Sequence, residues 1–75
     1  MRELVEYIVT AISSHPEDVK VTEEDENGPV IIRVTVHPED KGKVIGRNGR
    51  MAQSIRSLLR VAAVKSERRA VLEIE

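Results

Sequence analysis

Between residues 2 and 14 the apolar positions Leu4, Val5, Ile8, Val9, Ala11 and Ile12 recur three and four apart, with Glu3, Glu6 and Thr10 between them. That spacing predicts an amphipathic helix. Pro16 disfavours the α region at the residue before it, so the helix ends by His15. The alternation Val19-Lys20-Val21-Thr22-Glu23-Glu24 predicts a short half-buried strand. A second strand is expected over Val30-Ile31-Ile32-Arg33-Val34-Thr35-Val36, with Val30, Ile32, Val34 and Val36 on one face. Asp25-Glu26-Asn27-Gly28-Pro29 lies between the two; Asn27-Gly28 readily adopts positive φ, so a hairpin is expected.

His37-Pro38-Glu39-Asp40 closes the second strand and opens a short helix running to about Ile45. Proline suits the first helical position, and carboxylates suit the positive end of the helix dipole. From Arg50 to about Lys65, Met51, Ala52, Ile55, Leu58, Leu59, Ala62 and Ala63 form one stripe, which predicts the principal core helix. Val61 and Val64 fall off that stripe, where they suit a contact with another chain, plain exposure, or cover by the last strand. Ala70-Val71-Leu72-Glu73-Ile74-Glu75 alternates as a final strand. Returning to the sheet through two helices favours a parallel neighbour joined by a right-handed crossover. The expected fold is α+β in the order α-β-β-α-α-β.

Composition narrows the class. The 75 residues make a single domain, 1–75, near the size at which only about 60% of the chain's surface is buried on folding. With no Cys there is no disulfide framework and no thiolate metal site, which fits a reducing cytoplasm. The acids Glu3 and Glu6 among the first apolar residues argue against a signal peptide, and no apolar run reaches membrane-spanning length. A cytoplasmic protein with no membrane partner is expected.

The net charge of −1 conceals a strong asymmetry. Residues 41 to 66 hold seven basic residues (Lys41, Lys43, Arg47, Arg50, Arg56, Arg60 and Lys65) and no acid, leaving all 13 acids against five basics elsewhere. Such a split builds a positive surface that attracts polyanions, while the acidic stretch Glu23 to Glu26 is expected away from it. Tyr7 is the single aromatic residue, so bases cannot be held by aromatic stacking and an aliphatic groove must serve.

Within the basic stretch, Gly46-Arg47-Asn48-Gly49 sits between Val44-Ile45 and the long helix. Glycine tolerates positive φ and has no Cβ, so another backbone can come close. The helix behind presents unpaired N–H groups and the positive end of its dipole. Together they read as an anion clamp. Val44-Ile45-Gly46-Arg47-Asn48-Gly49, with Ala52 and Ile55 after it, resembles the signature of a KH domain, whose G-x-x-G loop grips about four nucleotides of single-stranded RNA or DNA. Over nearly the whole chain the sequence is similar to the small bacterial single-domain KH proteins of the KhpA family.

The resemblance implies a type II KH domain, a three-stranded mixed sheet with helices on one face. It implies a backbone-binding set of Gly46, Arg47, Asn48 and Gly49, supported by Lys41, Lys43 and Arg50. It also implies a base groove lined by Val44, Ile45, Ala52, Ile55 and one or more of Ile32, Val34 and Val36, between the helix pair and the edge of the second strand. Asn48 stands where more basic KH loops carry Lys or Arg, which removes one phosphate-pairing charge. Further implications are a homodimer or pairing with a second KH-containing RNA-binding protein; Val61 and Val64, off the apolar stripe of the long helix, are the candidate dimer contacts. Post-transcriptional regulation or RNA chaperoning in bacteria, linked to growth, division and cell shape, completes them.

No catalytic apparatus is visible. Gly42 to Gly49 lacks the Lys-Ser/Thr of a P-loop, Glu39-Asp40 reads as first-turn helix residues, and no nucleophile has an evident partner. His15 and His37 read as a helix end and a strand end. No metal or cofactor is expected. The competing class is a KH fold that only dimerises or docks on protein, its glycines serving as a turn.

Overall fold

The computed structural model describes residues 1–25 and 28–75. Helix α1 spans Arg2–Ile12 and buries Val5 and Val9. It stops short of residue 14 because Ser13 turns extended, at φ −85° and ψ 141°. The Ser13 hydroxyl donates to the Val9 carbonyl at 2.7 Å, and the next two N–H groups leave the helix axis to reach Asp40. One 3-10 turn, Pro16–Asp18, leads into β1, Lys20–Asp25.

Strand β2, Val30–Thr35, pairs antiparallel with β1, Lys20 opposite Thr35 and Asp25 opposite Val30. Of the expected reversal between them, Glu26 and Asn27 lie outside the described residues. A 3-10 turn, Pro38–Asp40, precedes the five-residue helix α2, Lys41–Ile45. After the glycine loop comes α3, Arg50–Lys65, and then β3, Ala70–Ile74. Strand β3 lies parallel to β2, Val30 opposite Ala70 and Val34 opposite Ile74, so the sheet order is β1-β2-β3. This is the α+β arrangement with a mixed sheet that the sequence predicts.

Val21, Val30, Ile32, Val34 and Leu72 turn one sheet face toward Val5, Val9, Ile55 and Leu59 of the helices. Each buried Val, Leu or Ile is worth about 1.5–3 kcal/mol, which makes this layer the main stabilising term. On the opposite face Arg33 lies between Glu24 and Glu73, its Nε donating to Glu73 at 3.0 Å, and so ties the three strands together. The α3 stripe is narrower than expected. Ala52, Ile55, Leu59 and Ala63 are buried, whereas Leu58 is 50% exposed. Leu58 lies about 100° around the helix from Leu59, beyond the arc that a three-stranded sheet and α1 cover.

Candidate nucleic-acid interface

The loop is built by three left-sided residues in four. Gly46 has φ 78° and ψ 170°, Asn48 φ 57° and ψ 26°, and Gly49 φ 73° and ψ 11°. The two glycines serve differently. A Cβ on Gly46 would stand 2.7 Å from the Met51 N and 2.6 Å from its Cβ, so this glycine lets the loop fold against the first turn of α3. A Cβ on Gly49 would meet nothing within 4 Å, so its bare face is open to an incoming chain. Gly46 N–H donates to the Gly42 carbonyl at 2.8 Å and Gly49 N–H to the Gly46 carbonyl at 3.1 Å. Among the described residues no backbone acceptor takes the Arg47 or Asn48 N–H. These two donors, the exposed Arg47 and Asn48 side chains and the amino end of α3 are brought together at one exposed, cationic corner.

Ion pairing divides the cations. Outside residues 41–66, Arg2, Arg33 and Arg68 each sit within ion-pair distance of a carboxylate. Inside it, among the described residues, only Lys43 does, 3.8 Å from Asp40. Lys41, Arg47, Arg50, Arg56, Arg60 and Lys65 are exposed and carry no such partner, so their field is directed outward. Lys43 also donates to the Ser14 hydroxyl, which ties it to the end of α1 rather than leaving it over the loop.

Most residues expected to line a groove are core residues. Strand β2 is central, not an edge, and its Ile32 and Val34 face the helices and are fully buried, as are Val44 (0%), Ile55 (2%) and Ala52 (3%). Val36 is buried too, leaving Ile45, 39% exposed, as the one clearly accessible member of the expected set. The furrow beside the loop, about 500 Å³, is lined by Ile45, Gly49, Ala52 and Arg56 on the helix side and by Leu72 to Glu75 on the other. The second wall of this furrow is β3, with Leu72 and Ile74. A parallel β3 beside β2 makes β2 internal and β3 the outer edge, and that signal was present in the crossover.

A second cluster sits at the other end of α2. Asp40 is fully buried and accepts the Ser14 N–H at 3.0 Å and the His15 N–H at 2.9 Å. Burial pushes its carboxyl up, but the two N–H donors, with the charges of His15 and Lys43, outweigh that and hold it below the ordinary value of 3.8. The His15 and His37 rings stack at 4.0 Å between centroids. His15 Nε2 lies 3.2 Å from Glu39, which raises its pKa above the ordinary 6.5 despite partial burial. His15, His37 and Glu39 bring ligand atoms within 4.8 Å of one another. Stacked rings direct their lone pairs side by side, however, and His37 Nδ1 already accepts the Glu39 N–H at 3.1 Å, so the cluster reads as a joint rather than a metal centre.

Known proteins share this architecture and sequence. The family model for the KhpA/KhpB KH domain matches residues 2–74. The chain is 47% identical over 74 residues to the RNA-binding protein KhpA of Halalkalibacterium halodurans, covering 99% of this chain and 97% of that one. It is 45% identical to the RNA-binding protein KhpA of Clostridium perfringens (99% of each chain) and 38% to that of Bacillus subtilis (99% and 91%). Among solved structures, Aquifex aeolicus Era bound to GDP.AlF4- is similar with a TM-score of 0.65 at 20% identity, over 97% of this chain and 28% of Era. An Era complex with MgGDPNP and nucleotides 1506-1542 of 16S ribosomal RNA gives the same values, a likeness of fold. With the family model covering all but the two terminal residues and relatives aligned along the whole length, the chain belongs to the KhpA/KhpB KH-domain family.

Proposed function

We propose that the chain is a non-catalytic binder of single-stranded RNA. One observation carries the reading. Open Gly49, the unpaired Arg47 and Asn48 N–H groups and unneutralised arginines coincide at the amino end of α3. The names of the relatives, RNA-binding protein KhpA, agree with it. A phosphate rests against the loop N–H groups, Arg47 and Asn48 add side-chain donors, and Arg50 and Lys41 strengthen the local field. About four bases turn into the furrow, over Ile45 and Ala52 and against Leu72 and Ile74, where the free edge of β3 offers backbone groups for hydrogen bonding.

Without aromatic stacking the site is weak and loosely selective, and two to four neutralised phosphates give a log K against log salt slope of about −1.4 to −2.8. Avidity then supplies affinity, through a homodimer using Val61 and Val64 or a second KH-containing RNA-binding protein. The cellular role we assign is post-transcriptional regulation or RNA chaperoning in the cytoplasm. A second reading, a protein-docking module, is favoured by Leu58, Val61 and Val64, which are 50%, 58% and 70% exposed on one helix.

Charge reversal in the loop separates the two readings. Gly46 is unsuitable for substitution because of Met51, whereas Asp tolerates the left-handed conformation of Asn48. The Arg47→Asp/Asn48→Asp variant is expected to lose at least about tenfold (about 1.4 kcal/mol) in affinity for a short U-rich RNA by fluorescence anisotropy. Its circular dichroism and melting should match the parent. Undiminished binding removes the loop from the mechanism.

A further inference from the structure

The basic surface continues beyond the furrow. Arg56, which lines the furrow, also lines a second hollow of about 180 Å³ between α3 and β3, and shares it with Arg60, Ala70 and Leu72. Arg60 in turn lines a third hollow of about 310 Å³ that ends at Ala63 and Arg69. The three follow one another along a single seam, from Gly49 and Ile74 at one end to Ala63 and Ala70 at the other. At 1.5 Å per residue the seam runs along about 21 Å of helix.

Its chemistry is that of the furrow. Arg56 and Arg60 are four residues apart and share the flank of α3 that faces β3. Among the described residues neither they nor Arg69 has a carboxylate partner, whereas Arg68 is held by Asp25 at 2.8 Å. The acids Glu73 and Glu75 line the furrow end of the seam, where Glu73 is engaged by Arg33 on the open sheet face, and no acid lines the middle hollow among the described residues. Leu72 and Ala70 give an aliphatic floor. A polyanion with apolar faces, entering at the loop, finds unneutralised cations at successive steps.

We propose that this seam is a second segment of the RNA site, so that a single strand leaving the four-base furrow at Arg56 continues past Arg60 to Arg69. The proposal rests on the RNA reading of the furrow, and it extends the footprint by two or three phosphates. The occupant is single-stranded RNA because the cations lie in line with the loop and are continuous with the furrow through Arg56.

The test compares U4 with U7, which is too short for two four-base sites, by anisotropy over a salt series. Extra binding registers on U7 raise affinity but leave the salt slope unchanged. A strand in the seam steepens the slope for U7 over U4 by about 1.4–2.1, at about 0.7 per phosphate. The Arg60→Gln/Arg69→Gln variant is expected to lose about 1.4 of the U7 slope and none of its U4 affinity, and Arg60→Lys/Arg69→Lys to restore the slope. Equal parental slopes for the two lengths, or a U7 slope unaltered by the glutamines, overturns the seam while leaving the furrow. Binding of neither oligomer by the parent overturns the furrow reading and the seam with it. The parental comparison decides the question even if a variant fails to fold.

Discussion

Gly46 and Gly49 show how two identical residues in one motif answer to different forces. Gly46 occupies a backbone region that only glycine adopts easily, and Met51 fills the space where its Cβ would stand. Gly49 is left-handed but unobstructed. Gly46→Ala is therefore expected to lower the unfolding free energy by about 2–4 kcal/mol, about 1–3 of it from the backbone alone. Gly49→Ala should lower it by only about 1–2 kcal/mol. Urea unfolding of the two variants measures the difference, and equal losses would contradict the steric role of Met51. The motif was legible in the sequence as two glycines around two polar residues. Which glycine is structural was not, because that depends on where the next helix brings Met51. Lys43 is a parallel case: its neighbours in sequence place it beside the loop, while in the fold its ammonium group meets Asp40 and the Ser14 hydroxyl.

At the scale of elements, the end of α1 and the start of α2 are joined by one cluster. Asp40 takes the Ser14 and His15 N–H groups, the His15 ring stacks on His37, and Glu39 and Glu17 lie 3.2 and 3.7 Å from the His15 nitrogens. The two titrations act at opposite ends of the pH scale. His15 has a raised folded pKa, so its stabilisation is fully present below the ordinary 6.5 and is lost as pH rises through the folded value. Asp40 has a lowered folded pKa, so its stabilisation is present above the ordinary 3.8 and is lost as pH falls through the folded value. Melting temperature should accordingly decline from mildly acidic toward alkaline pH, and His15→Gln should flatten that decline, while the acid limb persists in weakened form because the Ser14 and residue-15 N–H groups still hold Asp40. A profile for His15→Gln parallel to that of the parent would remove His15 from the joint. Each histidine was legible as the end of its own element. Their stacking was not, since it needs a contact across 22 residues that only the packing of α1 against α2 creates.

For the molecule as a whole, segregated charge and a sheet covered on only one face act together. The sheet is covered by helices on one face, and most of the cations without an ion-pair partner among the described residues lie along α2, the loop and α3. Leu58, Val61 and Val64 remain exposed on α3. Self-association through that surface would double the number of weak RNA sites, and Val61→Glu is expected to weaken it at least about tenfold, or about 1.4 kcal/mol. Sedimentation of parent and variant at matched concentration measures this, and identical profiles would exclude the valine contact. Sequence alone determined the six elements and their order, the glycine loop and the one-sided basic stretch, because hydrophobic spacing, glycine and proline positions and charge are local properties of the chain. The tertiary structure alone decided that β3 walls the furrow. It also decided that Ile32, Val34 and Val44 serve the core and that Arg56 and Arg60 border a continuous seam. A side chain's access to a ligand is set by which strand lies at the edge of the sheet and by what packs over it, and both are fixed by contacts between residues far apart in sequence.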